Sequence, residues 1–523
     1  MQATAPKLSS PYTAAREMYA ALEGYLDSGE AQGMSHSDLE REIEGQGREL
    51  LRQLLQAHLN GRGPGAADGE VTGADEVPRT RERLQERKLE TVFGTVTVER
   101  MGYGAAGVDS LHPQDAALNL PEERYSHEVR KRVAVEATRG SFDEAVAAVE
   151  RTTGAHVPKR QAEELVVRAA QDFEEFYAQR REEARDASGN DGDIVVVSFD
   201  GKGVVMRRED LREKTRKAAD RRRRKLKTRL SKGEKRNSKR MATVAAVYTV
   251  APYERTAEDV VHHLAGVESK GKDKPQRPRP QNKRLMASLE KAPAEVVEEI
   301  FADALHRDPE KAKTWVAVVD GNKQQLQLIE KEAKGLGVPI ITILDIIHVT
   351  EYLWKAGTAF NREGSKELET WVQQRLLAIL EGRSSGVAAG MRRSATRRSL
   401  SSSKRKPVDA CARYLLNNRQ YLRYDDYLAQ GLPIATGVIE GACRYLIKDR
   451  MDITGARWSL VGAEAVLRLR ALRASGDFDD YWRFHETQEY QRNHVSHYVD
   501  GIVPTVTNPR RDTSSRSHLK VVK

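Results

Sequence analysis

Cysteine is nearly absent. The 523 residues contain two, Cys411 and Cys443, which excludes a disulfide framework and any zinc site built on four thiolates. So few thiols fit a reducing compartment. No run of about 18 apolar residues occurs, so no membrane-spanning helix is expected. The opening MQATAPKLSSPYTAAREMYAAL also lacks the basic start and apolar core of a secretory leader. The expectation is a soluble cytoplasmic, nucleoid-associated protein. Negative charge is in deficit: 87 Lys and Arg stand against 77 Asp and Glu, a net +10 with a pI near 9.3. That balance favours a polyanionic partner, nucleic acid first. With 39% hydrophobic residues, the chain has enough apolar content for roughly three or four domains with real cores.

Along the chain, SHSDLEREIEGQGRELLRQLLQAHLN spaces Leu39, Ile43, Leu50 and Leu54 as a helix does, with Ser37 and Glu40 as a capping box. A Gly/Ala/Asp-rich stretch follows and reads as a linker over residues 63–80. KLETVFGTVTVERMGYG then alternates apolar and polar residues around Gly94, predicting a β-hairpin within 81–124. Residues 125–187 hold three helical stretches, with a capping box at Ser141 and Glu144 and a stop at Gly154. Two of them, the second opening with Lys159 and Arg160, have the pattern of a helix-turn-helix that reads the major groove. An ordinary helical hairpin has the same pattern. The region before residue 188 thus reads as mainly α-helical and DNA-binding.

From residue 188 the character changes to short apolar strands: DIVVVSFDGKG, MATVAAVYTV, TWVAVVDGNK and VPIITILDIIHV. Continuous apolar runs separated by helical segments predict an α/β domain with its sheet buried on both faces. Its first connection carries eighteen Lys/Arg against five Asp/Glu over residues 207–240, including Arg221, Arg222, Arg223 and Arg224. This basic insert is expected to lie along phosphates or to be a solvated loop. SKGKDKPQRPRPQNKR reads as a second basic loop.

Three of the strands run into aspartate: Asp200, Asp320 and Asp345. One Asp before Gly is ordinary turn chemistry. Three matter, because the carboxyl ends of parallel strands form the ligand crevice of an α/β sheet. Converging carboxylates raise one another's pKa unless they share a cation, and no Cys/His cluster favours zinc, so Mg²⁺ or Mn²⁺ is expected. A fourth acid, Glu440, stands in TGVIEGACRYLIKDRMDITGARW. Alone it reads as a solvated helix acid paired with Arg444 at i+4. With the aspartates it completes the carboxylate set that two metal ions need for in-line displacement at phosphorus. Arg444 and Lys448 would then share its helix face, with Arg450 and Arg457 gripping a phosphate backbone.

SFDGKG, VVDGNKQQL, DIIHVTEYLWKAG and PIATGVIEGACRYLIKDRMDITGARW, in that order, resemble bacterial insertion-sequence transposases of the ISKra type, DDE transposases distantly similar to Mutator-like elements. The resemblance covers most of the chain from Phe93 to DYWRFHETQEY. It implies an RNase H-like catalytic domain, a triad of Asp200, Asp320 and Glu440 that holds the metal ions, and double-stranded DNA as partner. Asp345 and His348 match the D-x-x-H pattern of the Mutator-like relatives and are accessory candidates. Trp458 is expected either to stack on an unpaired base at an element end or to pack in the core. The triad spacings are both 120 residues. The second interval is long for this superfamily and implies a helical insertion over 352–432, its helices joined by the Ser/Arg-rich MRRSATRRSLSSSKRKP. The catalytic domain then divides into 188–351 and 433–498, between a helical segment at 1–62 and a basic tail at 499–523. Two element ends must be handled together, so a dimer or larger assembly on DNA is expected. A metal-dependent nuclease of the same fold, or a DNA-binding protein without catalysis, would carry the same broad features.

Overall fold

The computed structural model describes residues 10–183, 192–221, 238–266 and 277–507. Arg222, Arg223 and Arg224, most of the basic insert and the tail beyond 507 lie outside the described residues. Two compact units make up the chain: Met1–Asp172 with Asp479–Lys523, and Phe173–Phe478. Residues from Asp479 on therefore cluster with the first unit, not with the Glu440 segment as the 433–498 division expected. Among the described residues no helix is long and apolar enough to cross a membrane.

In the first unit, helix α1 (His36–Arg62) starts at Ser35, whose hydroxyl accepts from Asp38 N at 3.3 Å. The cap thus lies two residues before the expected Ser37. Leu55 and Leu59 pack on Leu89, Val96 and Val98. Those residues belong to the expected hairpin, β1 (Arg81–Thr91) and β2 (Gly94–Ala105), with β3 (Val108–Leu111) added. Residues 63–80 are not a free linker. Ala66 and Ala67 pair with Thr507 and Val506, Val71 packs with Tyr103 and Tyr498, and buried Arg79 grips Asp75 at 2.8 Å.

Three helices follow: α2 (His127–Ala137), α3 (Phe142–Thr152) and α4 (Lys159–Ala169). The Ser141–Glu144 box is formed, the Ser141 amide donating to Glu144 Oε2 at 2.7 Å. Gly154 ends this stretch against the hairpin turn, its amide donating to Val92 O at 2.9 Å. A Cβ there would lie 2.6 Å from the carbonyl carbon of Phe93. Gly154→Ala should therefore cost about 1–3 kcal/mol, as overpacking does, measured as a lowered denaturation midpoint.

The second unit opens with α5 (Phe173–Glu182) and is built on a mixed sheet. Its strands are β4 (Ile194–Val205), β5 (Lys239–Val250), β6 (Gln281–Ser288), β7 (Thr314–Val319) and β8 (Ile340–Leu344), in the order β6-β5-β4-β7-β8. β4, β7 and β8 run parallel, and β5 is antiparallel to both its neighbours. β6 corrects the loop expected over QNKR: Arg284 within it is buried, paired with Asp303 and stacked 3.6 Å from the Tyr177 ring.

Alternation along β4 sends Val195, Val197 and Phe199 to one face and Ile194 and Val196 to the other. The first face is covered by α6 (Pro293–Arg307) and α7 (Lys323–Leu336). The second is covered by α8 (Ile346–Gly357), α9 (Lys366–Leu380), α10 (Ser384–Arg397) and α11 (Ser402–Asn417). The helical insertion is thus packed on the sheet. Its Ser/Arg-rich segment is not a loop, because Ala388, Met391 and Ala395, then Val408, Cys411, Ala412 and Leu415, bury one helical face each.

Candidate metal centre

Parallel pairing of β4 with β7 ends at Ser198 and Val318, and that of β7 with β8 at Val319 and Leu344. Carrying the register onward aligns Asp200 with Asp320 and Asp320 with Asp345. The three acids form one row across the carboxyl end of the parallel strands. Asp200 does not terminate its strand, however; β4 continues to Val205 paired only with β5. Asp200 Oδ1 accepts from Gly201 N at 2.6 Å, and Oδ2 accepts from the Cys443 thiol at 3.0 Å.

Asp320 leads into α7. Its Oδ1 accepts from Asn322 N at 2.8 Å, and Asn322 caps the helix through Gln324 N at 3.0 Å. Gly321 between them has φ +87°, and a Cβ would lie 2.9 Å from Leu344 Cδ1, so glycine is required in this turn. Tyr414 of α11 donates to Asp320 O at 2.9 Å.

Asp345 is fully buried at the N-cap of α8, where Oδ1 accepts from Ile347 N at 2.8 Å and Oδ2 accepts from Thr436 Oγ1. Burial raises its pKa from the ordinary aspartate value, against the pull of those hydrogen bonds and of His348. Ile346 N also donates to Ile434 O at 3.0 Å. This strap delivers the next segment, α12 (Gly437–Ala442), to the end of the sheet. Glu440 on α12 comes to Asp345 and His348, and ligand atoms of all three lie within 4.8 Å of one another. Desolvation and then Asp345 push the Glu440 pKa up; Glu351 and Asp200 add to this and His348 opposes it.

The grouping differs from the expected set. Among the described residues the acids and imidazole that converge to metal-ligand distances are Asp345, His348 and Glu440. Asp200 and Asp320 hold the neighbouring positions of the row without joining that group. The donors are two carboxylates and one imidazole, a set for a hard or borderline divalent cation.

No protein-family model matches this chain, and no curated relative does.

The helix after Glu440 is not regular. Cys443–Lys448 is π-helical, continuing into Asp449–Met451, and such turns often occur at functional sites. It sends Cys443 to Asp200, while Arg444, with a 77% exposed side chain, meets Asp449 at 3.8 Å instead of the expected Glu440. Lys448, Arg457 and Arg221 are exposed. Arg450 corrects an expected DNA contact, and Trp458 takes the second of its two expected roles, core packing. Arg450 and Trp458 are buried, the guanidinium 4.7 Å from the indole, and Trp458 Nε1 donates to Met451 O at 3.1 Å. The indole and its cation are core packing, with no face left for a base or a phosphate. In the first unit, exposed Lys159 reaches Asp143 at 2.7 Å and Arg160 reaches Glu164 at 3.2 Å. Sequence reasoning missed Cys443, Thr436 and Tyr414. Thr436 and Cys443 flank Glu440 closely enough to have been weighed, whereas nothing local marks Tyr414.

Proposed function

We propose that the protein is a DNA transposase of the DDE type. It would bind the ends of a mobile element and catalyse strand cleavage and strand transfer with Mg²⁺ or Mn²⁺, on an RNase H-like domain formed by the second unit. The observation that carries this reading is the row Asp200–Asp320–Asp345 at the carboxyl end of three parallel strands, closed by Glu440 from a distant helix. The mixed five-stranded sheet with helices on both faces supports the fold assignment.

Asp200, Asp320 and Glu440 are the proposed triad, and Asp345 and His348 complete the donor set. Burial raises the Asp345 carboxyl, and burial followed by the charge of Asp345 raises Glu440. Bound there, a pair of divalent ions would supply Lewis-acid stabilisation at phosphorus and an activated nucleophile. The protein's own work is positional. Thr436 and the Ile347 amide fix the Asp345 carboxylate, Cys443 and the Gly201 amide fix Asp200, and the Asn322 amide fixes Asp320. In the first reaction water displaces one side of a phosphodiester at an element end and leaves a 3′-hydroxyl. In the second that hydroxyl attacks a target phosphodiester, joining the strands and releasing a target 3′-hydroxyl.

The test is to incubate the protein with DNA carrying the sequences that flank its own gene, with Mg²⁺ and with EDTA. Metal-dependent nicks at fixed positions followed by joined products are expected. Nicks that never mature to joined strands would make the protein a nuclease of this fold, and binding without any metal-dependent product would remove catalysis.

A further inference from the structure

The α10–α11 hairpin holds a charge imbalance that the metal centre does not use. Residues 384–417 contain eight Lys/Arg and one acid, Asp409, a net +7 out of the chain's +10. Asp409 is engaged by Arg405 at 3.2 Å and Arg392 at 3.7 Å. The remaining six, Arg393, Arg397, Arg398, Lys404, Lys406 and Arg413, are exposed, and none forms an ion pair among the described residues. A merely solvated face would interleave its signs, as α7 does with Lys331 and Lys334 beside Glu330 and Glu332. Like charges at i and i+4, as at Arg393 and Arg397, instead destabilise a helix by a few tenths of a kcal/mol.

The same exposed face of α10 carries Gly386 and Gly390, and a Cβ at either would meet nothing within 4 Å. Alanine would fit both places and favour the helix by about 1 kcal/mol each. With Ser385 and Ala389 they leave a smooth surface on which a rigid polyanion can approach the helix backbone. Arg398 is held in place, 5.5 Å from the Phe360 ring and donating to Phe360 O at 3.1 Å.

The hairpin also has a direction. Its second helix ends at the row of acids, where Tyr414 donates to Asp320 O at 2.9 Å and stacks on Tyr352 at 4.1 Å. Arg413 is therefore next to a residue that touches the site, and Lys404 lies nine residues up the helix, about 14 Å, or about four base-pair steps of duplex.

We propose that the outer face of α10–α11 binds the phosphate backbone of duplex DNA and feeds one strand toward the Asp320 end of the sheet. The proposal takes the DNA substrate from the function proposed above.

The test uses full-length protein carrying Arg393→Gln, Arg397→Gln, Lys406→Gln and Arg413→Gln together. Binding to a fluorescent duplex of about 30 base pairs is followed in EDTA over about 50–250 mM NaCl. Each phosphate contact contributes about 0.9 to the slope of log K against log salt. The slope should become shallower by about 3–4, and affinity should fall at least about tenfold near 150 mM. The Lys331→Gln/Lys334→Gln pair on α7 should change neither, and both variants should keep the wild-type melting transition because every replaced side chain is exposed. A quadruple variant with wild-type slope and affinity overturns the proposal. So does a control that loses as much, or a wild-type protein with no salt-dependent binding. Reading in EDTA separates this proposal from the catalytic one. Lost slope in a protein whose wild type never yields metal-dependent products would keep the hairpin and remove the transposase. Wild-type cleavage with an unchanged quadruple variant would do the reverse.

Discussion

Glu440→Gln should lower metal-dependent strand cleavage by at least about 10³-fold while DNA affinity stays within about twofold. The amide keeps the shape of the side chain and withdraws the charge that faces Asp345 and His348. Metal stabilisation of a phosphoryl transition state is worth several kcal/mol, and each 1.36 kcal/mol is tenfold in rate. Affinity is set by cations, so it should not follow. The measurement is single-turnover cleavage of an element-end duplex in Mg²⁺, with binding read separately in EDTA. Cleavage by Glu440→Gln at the wild-type rate would end the metal assignment. Two companions separate the ligand sets, because spacing in the sequence selects Asp320 while convergence in space selects Asp345. Loss of cleavage in Asp320→Asn with full activity in Asp345→Asn would reduce Asp345 to the cap of α8. The opposite result would move the metal to the Asp345–His348–Glu440 group.

Those two selections differ because sequence and structure carry different information about the site. Strands β7 and β8 and the first half of β4 are apolar runs, and the acids after those runs are legible as a row once the strands are read as parallel neighbours. What brings Glu440 to the row is not local. It depends on Ile434 and Thr436 bonding across to Ile346 and Asp345, the latter 91 residues away. The π-turn that aims Cys443 at Asp200 also leaves no mark in residue type. β6 was hidden for another reason: QNKRLMAS opens with four polar residues and follows a Pro/Lys/Arg run, and its Arg284 is tolerable in a sheet only because Asp303 and the Tyr177 ring receive it. Composition concealed the α10–α11 hairpin as well. Serine and arginine suggested a loop, although the buried positions keep the helical period, from Ala388 through Met391 to Ala395.

The first unit should depend on one buried acid as strongly as the second does on its row. Arg130 of α2 has a fully buried side chain, and its Nη1 donates to Glu489 Oε2 at 2.7 Å on the C-terminal helix Phe478–Asn493. Gln171 and Arg492 each reach Glu489 Oε1 at 2.9 Å, and His485 holds Asp172 at 2.6 Å beside them. Burial opposes ionisation of Glu489, but the hydrogen bond and charge of Arg130, with His485 and Arg492, prevail and hold its pKa down at about 2. Glu489→Leu leaves the buried Arg130 guanidinium with only the looser Glu123 contact at 3.8 Å and should cost about 3 kcal/mol, whereas Arg130→Met/Glu489→Leu should recover much of that. The pH dependence follows from the sign of the shift. A carboxyl depressed in the folded state adds stability that is fully present above its unfolded pKa, about 4.5, and is lost as pH falls through about 2. In calorimetry the wild-type transition of this unit should therefore decline over that window. The Glu489→Leu transition should start lower and decline less. A variant that melts like wild type at neutral pH, or keeps the full acid dependence, would show that the Arg130–Glu489 pair does not hold α2 to the C-terminal helix.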